Sequence, residues 1–143
     1  MAHIIAPQTV PEPNGIYEFR KEIYIEKKED CSINIFAQSR YILYINCGYI
    51  CEGPCRSARN VRFFDAVKTD AFLCGKNKIT IKVMHVSTPL QFSTVFKSMT
   101  PTVLCEFFSE SHVFGSDETW ECYFLKNYKL QNTLFTAPYD QIK

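Results

Sequence analysis

Apolar and polar side chains alternate along much of the chain, with the period of half-buried β-strands. Residues 17–26 place apolar side chains on one face and charged ones on the other, and Lys21 interrupts the apolar face. Cys31–Ala37 and residues 78–86 alternate in the same way. Tyr41–Ile45 is apolar or aromatic at every position, which is typical of a strand inside a sandwich. These segments predict antiparallel strands.

Turn-forming residues separate the predicted strands. Asn46-Cys47-Gly48 supplies residues that tolerate positive φ, so the chain should reverse there into a short strand at 49–51. Gly53-Pro54 should end that strand, because proline has no N–H to donate to a ladder. Further strands are predicted at residues 63–67, 90–96, 102–108 and 120–125. Residues 1–15 are expected to form an extended lead-in, 70–73 a short helical turn and 109–119 a polar loop.

The spacing of these elements indicates the fold class. No segment carries a sustained apolar stripe of helical period, and about eight short strands follow one another at the turn spacing of sandwiches. At 143 residues the chain can bury a core in one domain. Aromatic residues make up 15% of it, and rings favour pleated surfaces. The sequence therefore predicts one all-β domain over residues 1–143, an antiparallel β-sandwich or jelly roll.

Charge and cysteine content narrow the partners and the compartment. The formal net charge is +1, which gives no general attraction to nucleic acid or to anionic membranes, and neither is expected as a partner. The apolar runs are far shorter than the roughly 20 residues of a membrane span. The N-terminus lacks the pattern of a secretory signal, and the 7 cysteines are odd in number. We therefore expect reduced thiols and a cytoplasmic location.

Three cysteines with regular spacing raise the question of a metal site. Cys47, Cys51 and Cys55 recur every four residues, whereas thiolate sites pair their cysteines and complete four ligands with a second pair or with histidines. The strand pattern also gives no reason for the three sulfurs to converge. We expect no metal and no cofactor, although the sequence leaves open a calcium ion in a loop. A small stand-alone metal or thiol protein is the corresponding alternative.

The residues needed for catalysis do not form a recognisable set. His3 lies in the lead-in, His85 ends a strand and His112 lies in a polar loop, and none is close in sequence to a cysteine nucleophile. Glycoside hydrolysis needs two facing carboxylates. The spacing selects no pair among the candidates Glu52, Asp65, Asp70, Asp117 and Glu118. No catalytic residue is predicted.

Carbohydrate binding has the residue types that it needs. Aromatic rings can contact the apolar faces of sugars, and charged side chains can bind hydroxyl groups. Candidates in or near predicted loops are Tyr49, Arg56, Arg59, Arg62 and Trp120. Trp120 begins a predicted strand and can equally be a core residue, and the arginines can equally form surface ion pairs or contact another domain.

Four short motifs in the first half of the chain carry a family resemblance. In order they are Phe19-Arg20-Lys21, Tyr41-x-Leu43-Tyr44-Ile45-Asn46-x-Gly48, Gly53-Pro54-x-Arg56-Ser57 and Leu73-x-Gly75-Lys76-Asn77-x-Ile79. This ordered set resembles the N-terminal β-sandwich of bacterial α-L-rhamnosidases. It is also similar, more loosely, to the galactose-binding-like jelly-roll domain of β-galactosidase-type glycosidases. The Gly-Pro-x-Arg-Ser element favours the rhamnosidases.

Two positions depart from the pattern of the family. Cys47 separates Asn46 from Gly48, where the family has Asn and Gly adjacent, so the hairpin is expected to be one residue longer. Val67-Lys68-Thr69 occupies the place of an Asp-x-Thr pattern, so the role of that acid is not carried over.

The resemblance implies an accessory role. In the family, catalysis belongs to a separate helical barrel further along the polypeptide. This chain would then be a non-catalytic, carbohydrate-associated domain of a longer glycoside hydrolase. Its partners would be the catalytic domain of the same polypeptide and a carbohydrate. The alternatives are a purely structural interface domain and a domain of a β-galactosidase-type glycosidase.

Overall fold

The computed structural model describes residues 1–12, 15–54, 63–85 and 100–128, and every structural statement below refers to these residues. They contain nine strands and no helix, which confirms the predicted all-β class, and so no helix among them could cross a membrane. The strands are β1 (Gly15–Ile25), β2 (Cys31–Ala37), β3 (Tyr41–Ile45), β4 (Gly48–Gly53), β5 (Asp65–Thr69), β6 (Gly75–His85), β7 (Val103–Phe108), β8 (Val113–Gly115) and β9 (Glu121–Phe124).

The strands form two antiparallel sheets. One has five strands in the order β4-β3-β6-β1-β9, and the other has four in the order β5-β2-β7-β8. The longest pairing joins β1 to β6, from Gly15 opposite His85 to Ile25 opposite Gly75. The predicted antiparallel β-sandwich is confirmed.

The core lies between the sheets and is built from alternate positions of the strands. Ile33 and Ile35 of β2 and Ile79 and Ile81 of β6 are fully buried, as their period-two pattern requires. Phe107 of β7 stacks on a ring of β8 with centroids 4.6 Å apart. The aromatic members of the core are Tyr17, Phe19, Tyr41, Phe72, Phe107 and Trp120.

The β3–β4 hairpin reverses at the predicted place. Ile45 pairs with Gly48, and the two turn residues Asn46 and Cys47 have φ of 51° and 65°. Positive φ at both central positions is the type I′ geometry that suits a two-residue hairpin. The turn itself has the usual length. The extra residue is Ile50, because Leu43 pairs with Cys51 whereas Tyr44 pairs with Tyr49, and a β-bulge results.

The predicted helical turn at residues 70–73 is wrong, and side-chain hydrogen bonds explain the irregular path. Asn77, 1% exposed, accepts a hydrogen bond from the Leu73 N–H at 2.8 Å. Its Nδ2 donates to the carbonyls of Leu73 at 2.7 Å and Gly75 at 3.0 Å. These bonds replace the local i to i−4 bonds of a helix, and Phe72 turns into the core.

The predicted strands at 102–108 and 120–125 correspond to β7 and β9, while the one at 90–96 lies outside the described residues. The loop predicted at 109–119 contains β8, which pairs with β7. The polar composition of these residues predicted a loop, whereas β8 is held in place by the stacking of Phe107 on Phe114. In the lead-in, Ile5 forms an isolated bridge to Val103 and packs on the core.

Candidate functional site

Tyr49 is the predicted carbohydrate contact that the structure places on an open surface. Its side chain is 58% exposed and lies on the outer face of the five-stranded sheet, the face that points away from the sandwich core. Its ring meets that of Tyr44 edge to face, with centroids 6.4 Å apart. The pair offers an aromatic surface to a ligand.

Trp120 lies in the core instead. It is 8% exposed, and its Nε1–H donates to the carbonyl of Gly115 at 3.2 Å. It directly precedes β9, at the opposite edge of the sheet from the β4 residue Tyr49, so the structure does not bring the two rings together. This placement agrees with the alternative interpretation of Trp120 as a core residue. Arg56, Arg59 and Arg62 lie outside the described residues.

A partly buried hydrogen bond links the two sheets beside the Gly-Pro exit. The hydroxyl of Tyr41, on β3, donates to Oδ2 of Asp65, on β5, at 2.6 Å. Both groups press against Gly53, where a Cβ would collide with the carboxylate and the ring. This contact explains why glycine stands there. Tyr41 is fully buried, and burial together with the Asp65 contact raises the pKa of its hydroxyl.

Of the six cysteines in the described residues, two are buried, two are partly buried, and Cys47 and Cys74 are exposed. Burial raises the pKa of Cys51 to about 11, and those of Cys105 and Cys122 to about 12, so these thiols stay protonated near neutral pH. Cys47 is exposed in the hairpin turn, whereas Cys51 packs against the core. No group of three His, Cys, Asp or Glu side chains in the described ranges could hold a metal ion.

Two carboxyl groups among the described residues have lowered pKa values. Hydrogen bonds from Ser111 and Ser109 lower the pKa of Glu29 to about 2, and one from Thr119 lowers the pKa of Asp117. Both groups are thus held ionised, the reverse of the raised pKa that a general acid needs. His85 is 2% exposed and lies beside the ring of Tyr17, and burial lowers its pKa. It is a core residue.

A cleft of about 1010 Å³ separates the N-terminal segment from β9. One wall is residues 3–10 and 12, and the other is formed by residues 117–124 and Lys126. At its base the Tyr17 hydroxyl accepts a hydrogen bond from the Glu12 N–H at 2.5 Å. The cleft is open and has walls of mixed polarity.

The outer face of the five-stranded sheet carries a row of side chains, of which the sequence singled out only Tyr49 as a candidate contact. Cross-strand pairing aligns one residue from each strand, from β9 through β1, β6 and β3 to β4. We call this the cross-sheet row, and its members are Glu121, Arg20, Thr80, Tyr44 and Tyr49. The signal for it was the polar phase of β1, in which Glu18, Arg20 and Glu22 share the face opposite the core.

Charges on this face are paired with one another. Glu18 is 6% exposed, receives a hydrogen bond from Nε of Arg20 and lies 4.0 Å from Nζ of Lys82. The Arg20 guanidinium also lies 4.6 Å from the ring centroid of Tyr123. Lys82 is 5.4 Å from the ring centroid of Tyr44. Cation–π contacts of this kind hold the charged groups and the rings in fixed positions.

Comparison with solved structures identifies the fold. The chain superposes on the GH78 family rhamnosidase of Bacillus sp. GL1 with a TM-score of 0.69 and 22% identity, over 85% of this chain and 13% of that one. The α-L-rhamnosidase of Aspergillus terreus gives 0.62 and 16%, over 85% and 16% of the two chains. A lectin from Pleurotus ostreatus in complex with GalNAc gives 0.56 and 20%, over 80% and 32%.

In sequence, no protein-family model and no curated protein matches the chain. The similarity is therefore one of fold, and it confirms at that level the resemblance carried by the four motifs. This chain has the β-sandwich fold of a small part of α-L-rhamnosidases, and spans 13% and 16% of the two described above.

Proposed function

We propose that the chain is a non-catalytic, carbohydrate-associated accessory domain of an α-L-rhamnosidase-type glycoside hydrolase. The observation that carries the proposal is that the structural match covers most of this chain but only a small share of each rhamnosidase. The match covers 85% of this chain in both cases, yet it corresponds to 13% of the Bacillus rhamnosidase and 16% of the Aspergillus enzyme. A segment of that size in a large hydrolase is one domain among several.

Chemistry within the described residues supports the non-catalytic part. The carboxyl groups with shifted pKa, Glu29 and Asp117, are shifted downward, and the thiols of Cys51, Cys105 and Cys122 are shifted upward. A general acid and a nucleophile need the opposite shifts. The contact between the exposed Tyr49 and the half-buried Tyr44 supports the carbohydrate part, as does the lectin that shares the fold.

Sugar titration tests the carbohydrate part. The whole chain is titrated with L-rhamnose and with an α-L-rhamnosyl-glucose disaccharide, and binding is followed by calorimetry and by amide chemical shifts. A chromogenic α-L-rhamnoside is supplied in parallel. We expect saturable binding and no release of the chromophore. Steady release of the chromophore that continues whichever metal ions the buffer contains would contradict the non-catalytic assignment.

A purely structural interface role is the second candidate, and exposed apolar side chains favour it. Tyr24 on β1 is 69% exposed, and Leu73, two residues before β6, is 53% exposed. Absence of binding to both sugars, together with association of the chain with a rhamnosidase catalytic domain supplied in trans, would favour this role over the first.

A further inference from the structure

We propose that the outer face of the five-stranded sheet is a binding site for a neutral oligosaccharide, which lies across the strands along the cross-sheet row. This inference rests on the proposed function and names a site and a ligand class for it. The row runs through paired residues from Glu121 on β9 to Tyr49 on β4, beside the β3–β4 bulge. Its middle member Thr80 is 9% exposed, so the side chains on either side of it supply the contacts. Four inter-strand spacings of about 4.8 Å make the row about 19 Å long, which is long enough for several sugar rings.

One end of the row opens into a polar depression of about 430 Å³. Its lining consists of side chains that can donate to or accept from hydroxyl groups, and aromatic or aliphatic residues take no part. The lining residues are Arg20, Lys21, Glu22, Lys78, Thr119 and Glu121. Such a depression suits the hydroxyl edge of a sugar, which needs donors and acceptors in alternation.

Aromatic side chains flank the depression and occupy the far end of the row. Tyr123 is 41% exposed beside Arg20, and Tyr49 is 58% exposed at the β4 edge next to Tyr44. Exposed rings on a sheet face lower solubility unless they bind a partner. A sugar has apolar faces and polar edges, and therefore needs rings at fixed positions near a polar depression.

Charge pairing selects a neutral ligand over an anionic one. Arg20 is paired with Glu18, Lys21 lies 3.7 Å from Asp117, and Lys76 lies 2.7 Å from Glu22. A polyanion would have to compete with these carboxylates for two of the three cations that line the depression, Arg20 and Lys21. A neutral sugar leaves the ion pairs intact and uses their remaining donors and acceptors.

The test compares substitutions in the row with a matched one outside it. Arg20→Ala and Tyr49→Ala alter the two halves of the row. Tyr24→Ala is the control, because Tyr24 is an exposed tyrosine on the same face of β1, about 13 Å along the strand from Arg20. Each variant is titrated with the α-L-rhamnosyl-glucose disaccharide, and with polygalacturonate as the anionic probe. Circular dichroism spectra confirm that the variants are folded.

We expect the disaccharide to bind about tenfold more weakly to at least one of the two row variants and with unchanged affinity to the control, since each substitution removes a charged hydrogen bond or a ring contact. Disaccharide binding that both row variants retain overturns this site and leaves the proposed function standing. Tighter binding of polygalacturonate than of the disaccharide overturns the neutral ligand class. No binding of either sugar by the unaltered chain removes the carbohydrate part of the proposed function and this site with it.

Discussion

The side chains of Asn46 and Asn77 are hydrogen-bonded to each other, with Nδ2 of Asn46 donating to Oδ1 of Asn77 at 2.8 Å. Asn46 also accepts a hydrogen bond from the N–H of Lys78 at 3.0 Å. The two asparagines belong to two motifs, 31 residues apart in sequence, and they join the β3–β4 turn to the start of β6. The motif residues therefore organise the backbone at this end of the sheet.

Asn77→Ala should lower the free energy of unfolding by about 3 kcal/mol. The substitution leaves the Leu73 N–H and the carbonyls of Leu73 and Gly75 without their partner, and it removes the side chain of a residue that is 1% exposed. Urea denaturation followed by tryptophan fluorescence measures the change. Asn127→Ala, in an exposed turn, is the matched control and should stay within about 0.5 kcal/mol. A loss below about 1 kcal/mol for Asn77→Ala would contradict the role assigned to this side chain.

Cys47→Gly should stabilise the protein by about 1 kcal/mol. Cys47 has a φ of 65°, and a side chain in the left-handed region costs roughly 1–2 kcal/mol, which glycine avoids at some cost in chain entropy. Thermal unfolding measures the gain. Cys47→Ala removes the same exposed thiol but keeps the β-carbon, so it should give no gain. Equal stabilisation by both variants would show that the thiol, and not the backbone, is responsible.

Tyr41→Phe should cost about 2 kcal/mol, because it removes a hydrogen bond from a fully buried tyrosine to a carboxylate. Denaturation midpoints of the variant and of the parent chain give the difference. Tyr24→Phe, at a 69% exposed position, removes an equivalent hydroxyl from the surface and should be near neutral. If the two variants are equally stable, the Tyr41–Asp65 contact does not hold the sheets together.

Stability should fall as the pH is lowered below neutrality, in part through His85. Burial lowers the pKa of the folded-state imidazole below its ordinary value of 6.5. Between the two pKa values the unfolded chain binds a proton that the folded chain does not, so acidification favours unfolding until the pH passes the folded pKa. His85→Gln should flatten this part of the pH–stability profile. The control is His3→Gln, which removes an exposed imidazole from the lead-in. A profile unchanged by His85→Gln would refute the assignment.

Trp120→Ala and Tyr49→Ala should lower the free energy of unfolding by different amounts, because Trp120 packs in the core and Tyr49 lies on the surface. The first should cost about 3–5 kcal/mol, because it leaves a cavity in the core and removes the bond to Gly115. The second should cost less than about 1 kcal/mol, because the ring is largely exposed. Chemical denaturation of both variants checks this. Similar losses would mean that Tyr49 is also a packing residue.

Strand phase could be predicted from the sequence because burial imposes it residue by residue. Cys31–Ala37 and Tyr41–Ile45 have the predicted bounds, and the reversal at Asn46-Cys47 follows from residue types that tolerate positive φ. What could not be predicted depends on distant contacts. β8 is fixed by the Phe107–Phe114 stack, and the path of residues 70–73 is fixed by Asn77.

The candidate site was less predictable than the fold for the same reason. Tyr49 has the exposure that a ligand contact needs, but Trp120 has the burial of a core residue. The cross-sheet row joins Arg20 to Tyr49 through two intervening strands. A single strand shows which side chains share its face, whereas only the strand order shows which faces become neighbours.

The bulge at Ile50 determines which side chains β4 shows to solvent. In an unbroken strand Tyr49 and Cys51 would share a face, since they are two residues apart. The extra residue reverses the alternation, so that Ile50 and Cys51 both pack on the core while Tyr49 points outward. Deleting Ile50 would restore strict alternation and force either Tyr49 inward or Cys51 outward. Inserting or deleting one residue here thus exchanges the faces on which the following residues of the strand lie. A lineage could gain or lose an aromatic contact in this way without substituting any side chain.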